Sequence, residues 1–170
     1  MRGPGIGVSL CALLAFGWLC PGTAEAQERQ LQPVGFWGSL ALGPAAPYGF
    51  GGAVGAAVRY QNVVLRVRAA ASAELLGDGV DDWGVLAGGA IELSPARSMV
   101  TLTAGIGRAT SSRGCVLCTS SSESRMAMLV DAEARLAVTS FFGISANAFV
   151  DINGEESFGG LGVGIFLGRL

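Results

Sequence analysis

Two short groups of residues could in principle carry chemistry. Cys115 and Cys118 form a CxxC pair inside a serine-rich segment, and Asp81 and Asp82 are adjacent carboxylates. A CxxC pair occurs in redox centres and as half of a zinc site, but a redox pair usually opens a helix and zinc needs two more ligands. The chain has no histidine, so it offers neither Ser/His/Asp or Cys/His catalysis nor a histidine metal ligand.

The remaining interpretations of these groups are structural. Asp81 and Asp82 would point to opposite faces of a strand, so we expect two solvated loop carboxylates and not an acid/base pair. In an exported protein, Cys115 and Cys118 are expected to form a local disulfide in their loop. We therefore expect no enzymatic activity, no cofactor and no metal site.

The first residues have the features of a secretory signal peptide. Arg2 is followed by an apolar stretch over 6–19, and Ala24-Glu25-Ala26 has the form of a cleavage site. The stretch is short for a membrane anchor, which is one alternative. A lipid-modified Cys20 is another, although Leu19 stands where a small residue is expected. The predicted organisation is a cleaved signal peptide (1–26), a short N-terminal periplasmic segment (27–33) and a barrel domain (34–170).

The composition is unusual for a soluble protein. Hydrophobic residues make up 51% of the chain and charged residues 14%, so part of the surface is expected to face something other than water. All 11 basic residues are arginine, and a net charge of −2 gives no electrostatic reason to expect nucleic acid as a partner.

Past residue 33 the apolar residues recur at every second position, which predicts strands with two unlike faces. Eight such segments are found, at 34–42, 48–60, 63–75, 82–93, 100–107, 126–138, 142–152 and 160–168. The same alternation fits a soluble barrel with an apolar lumen or a membrane barrel with an apolar outer wall.

Three features favour the membrane barrel. The positions that alternate with the apolar ones, called the polar parity below, are rich in small residues and lack lysine. On the apolar positions, called the apolar parity, charge occurs only at Arg108 and Arg169, near strand ends. The segments also have about the length that a tilted strand needs to cross a bilayer. We predict an all-β fold, an eight-stranded antiparallel transmembrane β-barrel with an up-and-down meander. A soluble lipocalin-like barrel that binds an apolar ligand is the alternative.

The connections fall into two sets. Short periplasmic turns are predicted at 61–62, 94–98 and 139–140, and mostly longer outward loops at 44–47, 76–81, 110–124 and 153–157. Aromatic residues on the apolar parity predict two aromatic girdles, one at each membrane interface. The outer girdle consists of Tyr48, Phe50 and Trp83, and the periplasmic girdle of Phe36, Tyr60 and Phe142.

Taken together, the signal peptide, the eight alternating strands and the glycine-rich last strand resemble the small outer-membrane β-barrel families, the relatives of outer membrane proteins A, X and W. The resemblance implies a place in the bacterial outer membrane, contact with its lipid, and a final strand that the barrel assembly machinery recognises. In those families the last strand usually ends in a lipid-facing aromatic residue. Here the chain ends in Leu170, and Phe166 lies on the glycine phase.

The polar parity also carries charges that would face the lumen. Because eight strands enclose little space, these side chains are expected to pair with one another as an ion-pair network. The predicted members are Arg59, Arg66, Arg68, Glu92, Asp131, Glu133 and Arg135, with Glu74, Asp82 and Asp151 nearer the outer rim. A hairpin centred near Gly79 would place Arg66 opposite Glu92, unless a bulge shifts the register.

These features predict a structural or surface-interaction protein with a charge-plugged interior. A narrow pore for small solutes, in which the pairs rearrange, is the alternative within the same fold. Nothing in the sequence names a surface partner.

Overall fold

The computed structural model describes residues 34–73, 78–93, 97–113, 121–154 and 157–169. They form eight antiparallel strands, each paired with its neighbours in sequence order, and β1 pairs with β8 to close the barrel. The strands are β1 (Val34–Ala46), β2 (Gly49–Tyr60), β3 (Val63–Ala73), β4 (Gly79–Leu93), β5 (Ser98–Arg113), β6 (Ser121–Ala137), β7 (Phe142–Ile152) and β8 (Phe158–Arg169). The predicted fold class, a closed eight-stranded meander, is confirmed.

Several predictions fall outside the described residues. They are the signal peptide (1–26), the short segment that follows it (27–33), Glu74 near the outer rim, most of the turn at 94–98, and the disulfide between Cys115 and Cys118. Within the part of the chain that is described, no helix is long and apolar enough to cross a membrane.

The apolar parity faces outward and the polar parity faces the lumen. Along β3, for example, Leu65 and Val67 are more than half exposed, whereas Arg66 and Arg68 are only 2% exposed. The soluble lipocalin-like alternative needs the opposite arrangement, because its apolar side chains would line the cavity. The direction of the side chains therefore removes that alternative.

Below, the inner end of the barrel is the end where β1 begins and β8 finishes, and the outer end is the opposite one. At the inner end, Gln61 and Asn62 form a two-residue turn in which Gln61 has a left-handed φ of 53°, as the tight hairpin turns require. In the turn between β6 and β7, the Thr139 hydroxyl accepts a hydrogen bond from the backbone N–H of Phe142 at 2.9 Å. The short turns predicted at 61–62 and around 139–140 are thus present.

At the outer end, five of the eight strands extend beyond the predicted segments. β1 continues to Ala46 and β4 begins at Gly79, inside segments that were expected to be loops. β5 and β6 also run into the predicted loop 110–124 and remain paired as far as Arg113 and Ser121. These extensions are made largely of small and polar residues, so they lack the alternation of large apolar side chains from which strands are predicted.

The β3–β4 register corrects the predicted pair of Arg66 with Glu92. Arg66 lies opposite Leu86, and Ala73 lies opposite Gly79. The centre of the β3–β4 hairpin lies earlier in the chain than the predicted Gly79, because β4 itself begins at Gly79. The observed partner Leu86 and the predicted partner Glu92 are an even number of residues apart on β4, so the side chains still face the predicted side of the sheet.

Closure of the barrel depends on a glycine in the last strand. A Cβ on Gly164 would overlap the carbonyl oxygen of Leu40 and the Cα of Ala41, both in β1. Any side chain there would push β8 away from β1. The outward Gly38 differs, because a Cβ at that position would meet only the carbonyl oxygen of Gly55, at an ordinary 3.7 Å.

We predict that Gly164→Ala lowers the free energy of unfolding by about 1–3 kcal/mol, the usual cost of overpacking. The matched substitution Gly38→Ala should change it by less than about 0.5 kcal/mol. Urea unfolding of the refolded protein in detergent, followed by tryptophan fluorescence, measures both. Equal losses for the two variants would contradict the role assigned to Gly164.

Candidate functional site

The centre of the lumen is an arginine between two carboxylates. Arg66 reaches across the barrel from β3, and its Nη1 bonds to Asp131 Oδ1 at 2.8 Å and to Glu133 Oε2, both on β6. All three residues are at most 2% exposed. Nη2 of Arg66 also donates to the Ser39 hydroxyl on β1 at 3.2 Å. This group therefore ties β1, β3 and β6 together through the interior.

Towards the inner end, the chain of charges continues through Arg135. Its Nη2 lies 2.8 Å from Glu133 Oε2 and donates to the Thr101 hydroxyl at 3.1 Å. The guanidinium carbon lies 3.8 Å from the centre of the Trp37 ring, within the range of a cation–π contact. Glu133 thus joins Arg66 to Arg135, and the indole covers the far side of Arg135.

Towards the outer end, the chain continues through Arg68. Its Nη2 bonds to Asp82 and its Nη1 lies 3.9 Å from Asp131 Oδ2. Asp82 also accepts a hydrogen bond from the backbone N–H of Ala70 at 3.2 Å. The Arg68 guanidinium carbon lies 5.3 Å from the centre of the Phe149 ring.

A separate pair occupies the inner end. Arg59 Nη1 lies 2.7 Å from Glu92 Oε1 and donates to the sulfur of Met99 at 3.5 Å. Arg59 is buried, whereas the Glu92 side chain is 43% exposed. Glu92, the residue predicted to face Arg66, is therefore the partner of Arg59. All seven residues predicted for the network take part in ion pairs, but in two groups and not in one.

Apolar side chains lie above and below the charges. Trp37, Met99 and Phe166 belong to a buried cluster at the inner end. At the outer end Phe149 and Phe158 meet edge to face, with ring centres 5.9 Å apart, in a second buried cluster. These aromatic residues were not predicted as site residues. The available signal was their position on the polar parity, where a large ring has to fit inside the lumen.

Two acidic residues lie deeper than predicted. Asp82 and Asp151 were placed nearer the rim, yet both are at most 2% exposed. Asp151 accepts a hydrogen bond from Nδ2 of Asn153 at 3.0 Å. Asp82 is enclosed because β4 continues past it to Gly79, and Asp151 lies opposite Phe158 of the buried outer cluster.

Four of the six residues predicted for the aromatic girdles are more than half exposed on the outer wall; they are Phe36, Phe50, Tyr60 and Trp83. Phe142 is half-buried at the start of β7. Tyr48 differs from the prediction, because it packs against the buried cluster that contains Phe149 and Phe158. It lies in the β1–β2 turn, where strand alternation no longer determines the direction of a side chain.

The arrangement suits cross-linking of strands better than chemistry. Every arginine in the interior is held by a carboxylate, and Arg68 and Arg135 also stack on rings. Across the described residues, no group of three or more cysteine or acidic side chains is placed to hold a metal ion.

Comparison with known proteins supports the fold and goes no further. No protein-family model matches the sequence, and no curated protein matches it. Among solved structures, the chain is similar to Neisserial surface protein A (NspA), with 14% identity and a TM-score of 0.63 over 80% of this chain and 97% of that one. It is also similar to the N-terminal β-barrel domain of OprF from Pseudomonas aeruginosa, with 12% identity and a TM-score of 0.57 over 82% and 99%.

A third similar structure is Ail, the attachment invasion locus protein of Yersinia pestis, crystallised with the heparin analogue sucrose octasulfate. The identity is 12% and the TM-score 0.53, over 79% of this chain and 95% of that one. The resemblance to small outer-membrane barrels inferred from the sequence is confirmed at the level of the fold.

We predict that Arg66→Met lowers the free energy of unfolding by about 3–5 kcal/mol, because it leaves Asp131 and Glu133 buried with one fewer counter-charge. A matched control is Arg125→Gln, which removes an exposed pair with Glu123 and should cost less than about 1 kcal/mol. Urea titration in detergent measures both variants. Similar losses for the two would show that the buried group is not the main electrostatic support.

Proposed function

We propose that the protein is a non-enzymatic β-barrel of the bacterial outer membrane with a closed interior and a structural or surface-interaction role. The observation that carries this proposal is the combination of an apolar outer wall with a lumen filled by paired charges. The proposal includes the barrel assembly machinery as a partner during insertion, because the outward alternation of Leu161, Val163, Ile165 and Leu167 continues through β8.

The height of the apolar wall supports a membrane location. Tyr60 and Phe50 are exposed rings on the outer face of β2, ten residues apart. At about 3.3 Å per residue and a tilt near 40°, they are separated by about 25 Å along the barrel axis. That value equals the height of the apolar band in outer-membrane barrels, which is flanked by aromatic residues.

We predict that the protein fractionates with outer membranes and that its gel migration in detergent changes on boiling, as it does for a barrel that stays folded until heated. Recovery of the folded protein from the soluble periplasmic fraction would contradict the proposed location.

The contacts in the lumen favour a closed barrel over a pore. Arg135, Glu133, Arg66, Asp131, Arg68 and Asp82 follow one another as a chain of ion pairs. Buried apolar clusters close both ends of this chain. A conducting path would require several pairs to separate in a medium of low dielectric constant, which is costly for buried charges.

We predict that the refolded protein gives no steady single-channel steps in planar lipid bilayers. The alternative, a narrow pore for small solutes, predicts stepwise conductance that changes when Glu133→Gln weakens the link between Arg66 and Arg135. Heat-dependent gel migration of the same samples verifies that the barrel is folded, so that an absence of conductance cannot be confused with failure to insert. Steady steps from the wild type would exclude the closed interior.

The outer end supports a surface-interaction role. β5 and β6 are the longest strands, with 16 and 17 residues. Pairing of β6 with β7 begins only at Met128, so the segment 121–127 continues beyond β7. On its β7 side this hairpin offers a surface that extends beyond the neighbouring strand, whereas on the other side β4 stays paired with β5 as far as Gly79 and Ser112.

A further inference from the structure

The lumen holds one more carboxylate than it has arginines to pair with. The chain of ion pairs contains three buried arginines, Arg66, Arg68 and Arg135. Four buried carboxylates share this part of the lumen, namely Asp82, Asp131, Glu133 and Asp151. The remaining buried arginine, Arg59, is paired with Glu92 at the inner end. If all four buried acids were ionised, the closed interior would carry an uncompensated negative charge, which is costly away from water.

Asp151 is the carboxylate in excess. It is completely buried, and it forms no salt bridge with any described residue. Its Oδ1 accepts a hydrogen bond from Asn153 Nδ2 at 3.0 Å. Its Oδ2 is also buried but meets no donor among the described residues. A buried oxygen of this kind needs a hydrogen-bond partner.

The Asp82 carboxyl is placed to provide that partner. It comes from β4 and lies within hydrogen-bonding reach of the Asp151 carboxyl. Asp82 itself accepts from Arg68 Nη2 and from the backbone N–H of Ala70. Two ionised carboxylates so close together can only accept hydrogen bonds, and they repel each other. A single proton between them removes the repulsion and satisfies the unpartnered oxygen.

The other groups around this pair do not supply a second positive charge. Arg68, on β3, is the cation that faces both acids, but its Nη1 already donates to the carbonyl oxygen of Val130 on β6 at 3.2 Å. Asp131, also on β6, adds a negative charge on the far side of Arg68. Phe158 on β8 lies opposite Asp151, and Tyr48 packs against the same apolar cluster. A tyrosine is neutral at neutral pH, so it leaves the charge balance unchanged.

We propose that Asp82 and Asp151 form a proton-binding site in which the two carboxyls share one proton at neutral pH. Because the two groups titrate as a unit, the proton belongs to the pair and not to one residue. Loss of the proton would place the excess charge beside the buried apolar cluster at the outer end. The site therefore makes the stability of the closed barrel depend on pH. This inference rests on the closed interior proposed above.

Infrared spectroscopy of the intact refolded protein tests the shared proton directly. In D₂O and a detergent without carbonyl groups, the wild type at neutral pH should show the carbonyl band of a protonated carboxyl, separate from the carboxylate bands. Both Asp151→Asn and Asp82→Asn should abolish this band, because the remaining carboxyl then has Arg68 to itself. The matched control is Asp81→Asn, which removes the neighbouring outward carboxylate and should leave the band unchanged.

The pH dependence of unfolding gives a second measurement. The folded pair keeps a proton that the exposed aspartates of the unfolded chain have released, so raising the pH favours the unfolded state. The urea midpoint of the wild type should therefore fall as the pH rises through the titration of the pair. Asp151→Asn should remove this fall, because the asparagine amide donates to Asp82 at every pH. Asp81→Asn should retain it.

The absence of a protonated carboxyl band in the folded wild type would overturn the proposal, and that measurement does not depend on whether a variant folds. A band that survives both Asp82→Asn and Asp151→Asn would assign the proton elsewhere and would also overturn it. Conductance of the same preparations in planar bilayers keeps the two proposals apart. A closed barrel without the band refutes the proton site alone, whereas a conducting barrel refutes the closed interior.

Discussion

The ion pairs around Arg66 are the interaction on which the rest of the interior depends. A guanidinium in a closed lumen has lost its water, so its energy is acceptable only if carboxylates surround it in good geometry. Asp131 and Glu133 meet this need, and each also contacts a further arginine. The result is a chain in which no member can be removed without leaving its neighbour short of a partner. Because the members come from β3, β4 and β6, the chain also holds opposite walls together.

The small size of the barrel explains why the other interior residues are as they are. Eight strands leave room for only a few large side chains, so the arginines and rings alternate with alanines and glycines. Gly84, Gly88, Gly105 and Gly164 all sit where a Cβ would overlap the backbone of the next strand. The excess of glycine in the composition is therefore mainly a consequence of close packing on the inner face.

The inner and outer faces of the same strands have opposite requirements. On the inner face polar atoms have to find partners within the protein, whereas on the outer face apolar side chains need only a hydrocarbon surrounding. Asp81 and Arg108 are exceptions to this division, because they are charges on the outward face without a protein counter-ion among the described residues. The function we propose thus follows from both surfaces, a closed lumen and a wall adapted to a bilayer.

The period of two in the sequence determined the strands, their number and which residues share a face, because alternation is a local property of an extended chain. It also identified the charged residues of the lumen, since they lie on the parity opposite to the leucines and valines. It could not determine the partners. Arg66 meets Asp131 and Glu133 across the barrel, not Glu92 across a hairpin, because closure brings together strands that are distant in sequence.

Only the tertiary structure decided three further points. It directed the apolar parity outward, which alternation alone leaves open. It extended β4 to Gly79 and so moved Asp81 from a loop to the wall, and it packed Tyr48 against the buried cluster at the outer end. In each case the deciding factor is pairing with a neighbouring strand or the curvature of the closed sheet. Those contacts join residues far apart in the chain, and local sequence patterns do not record them.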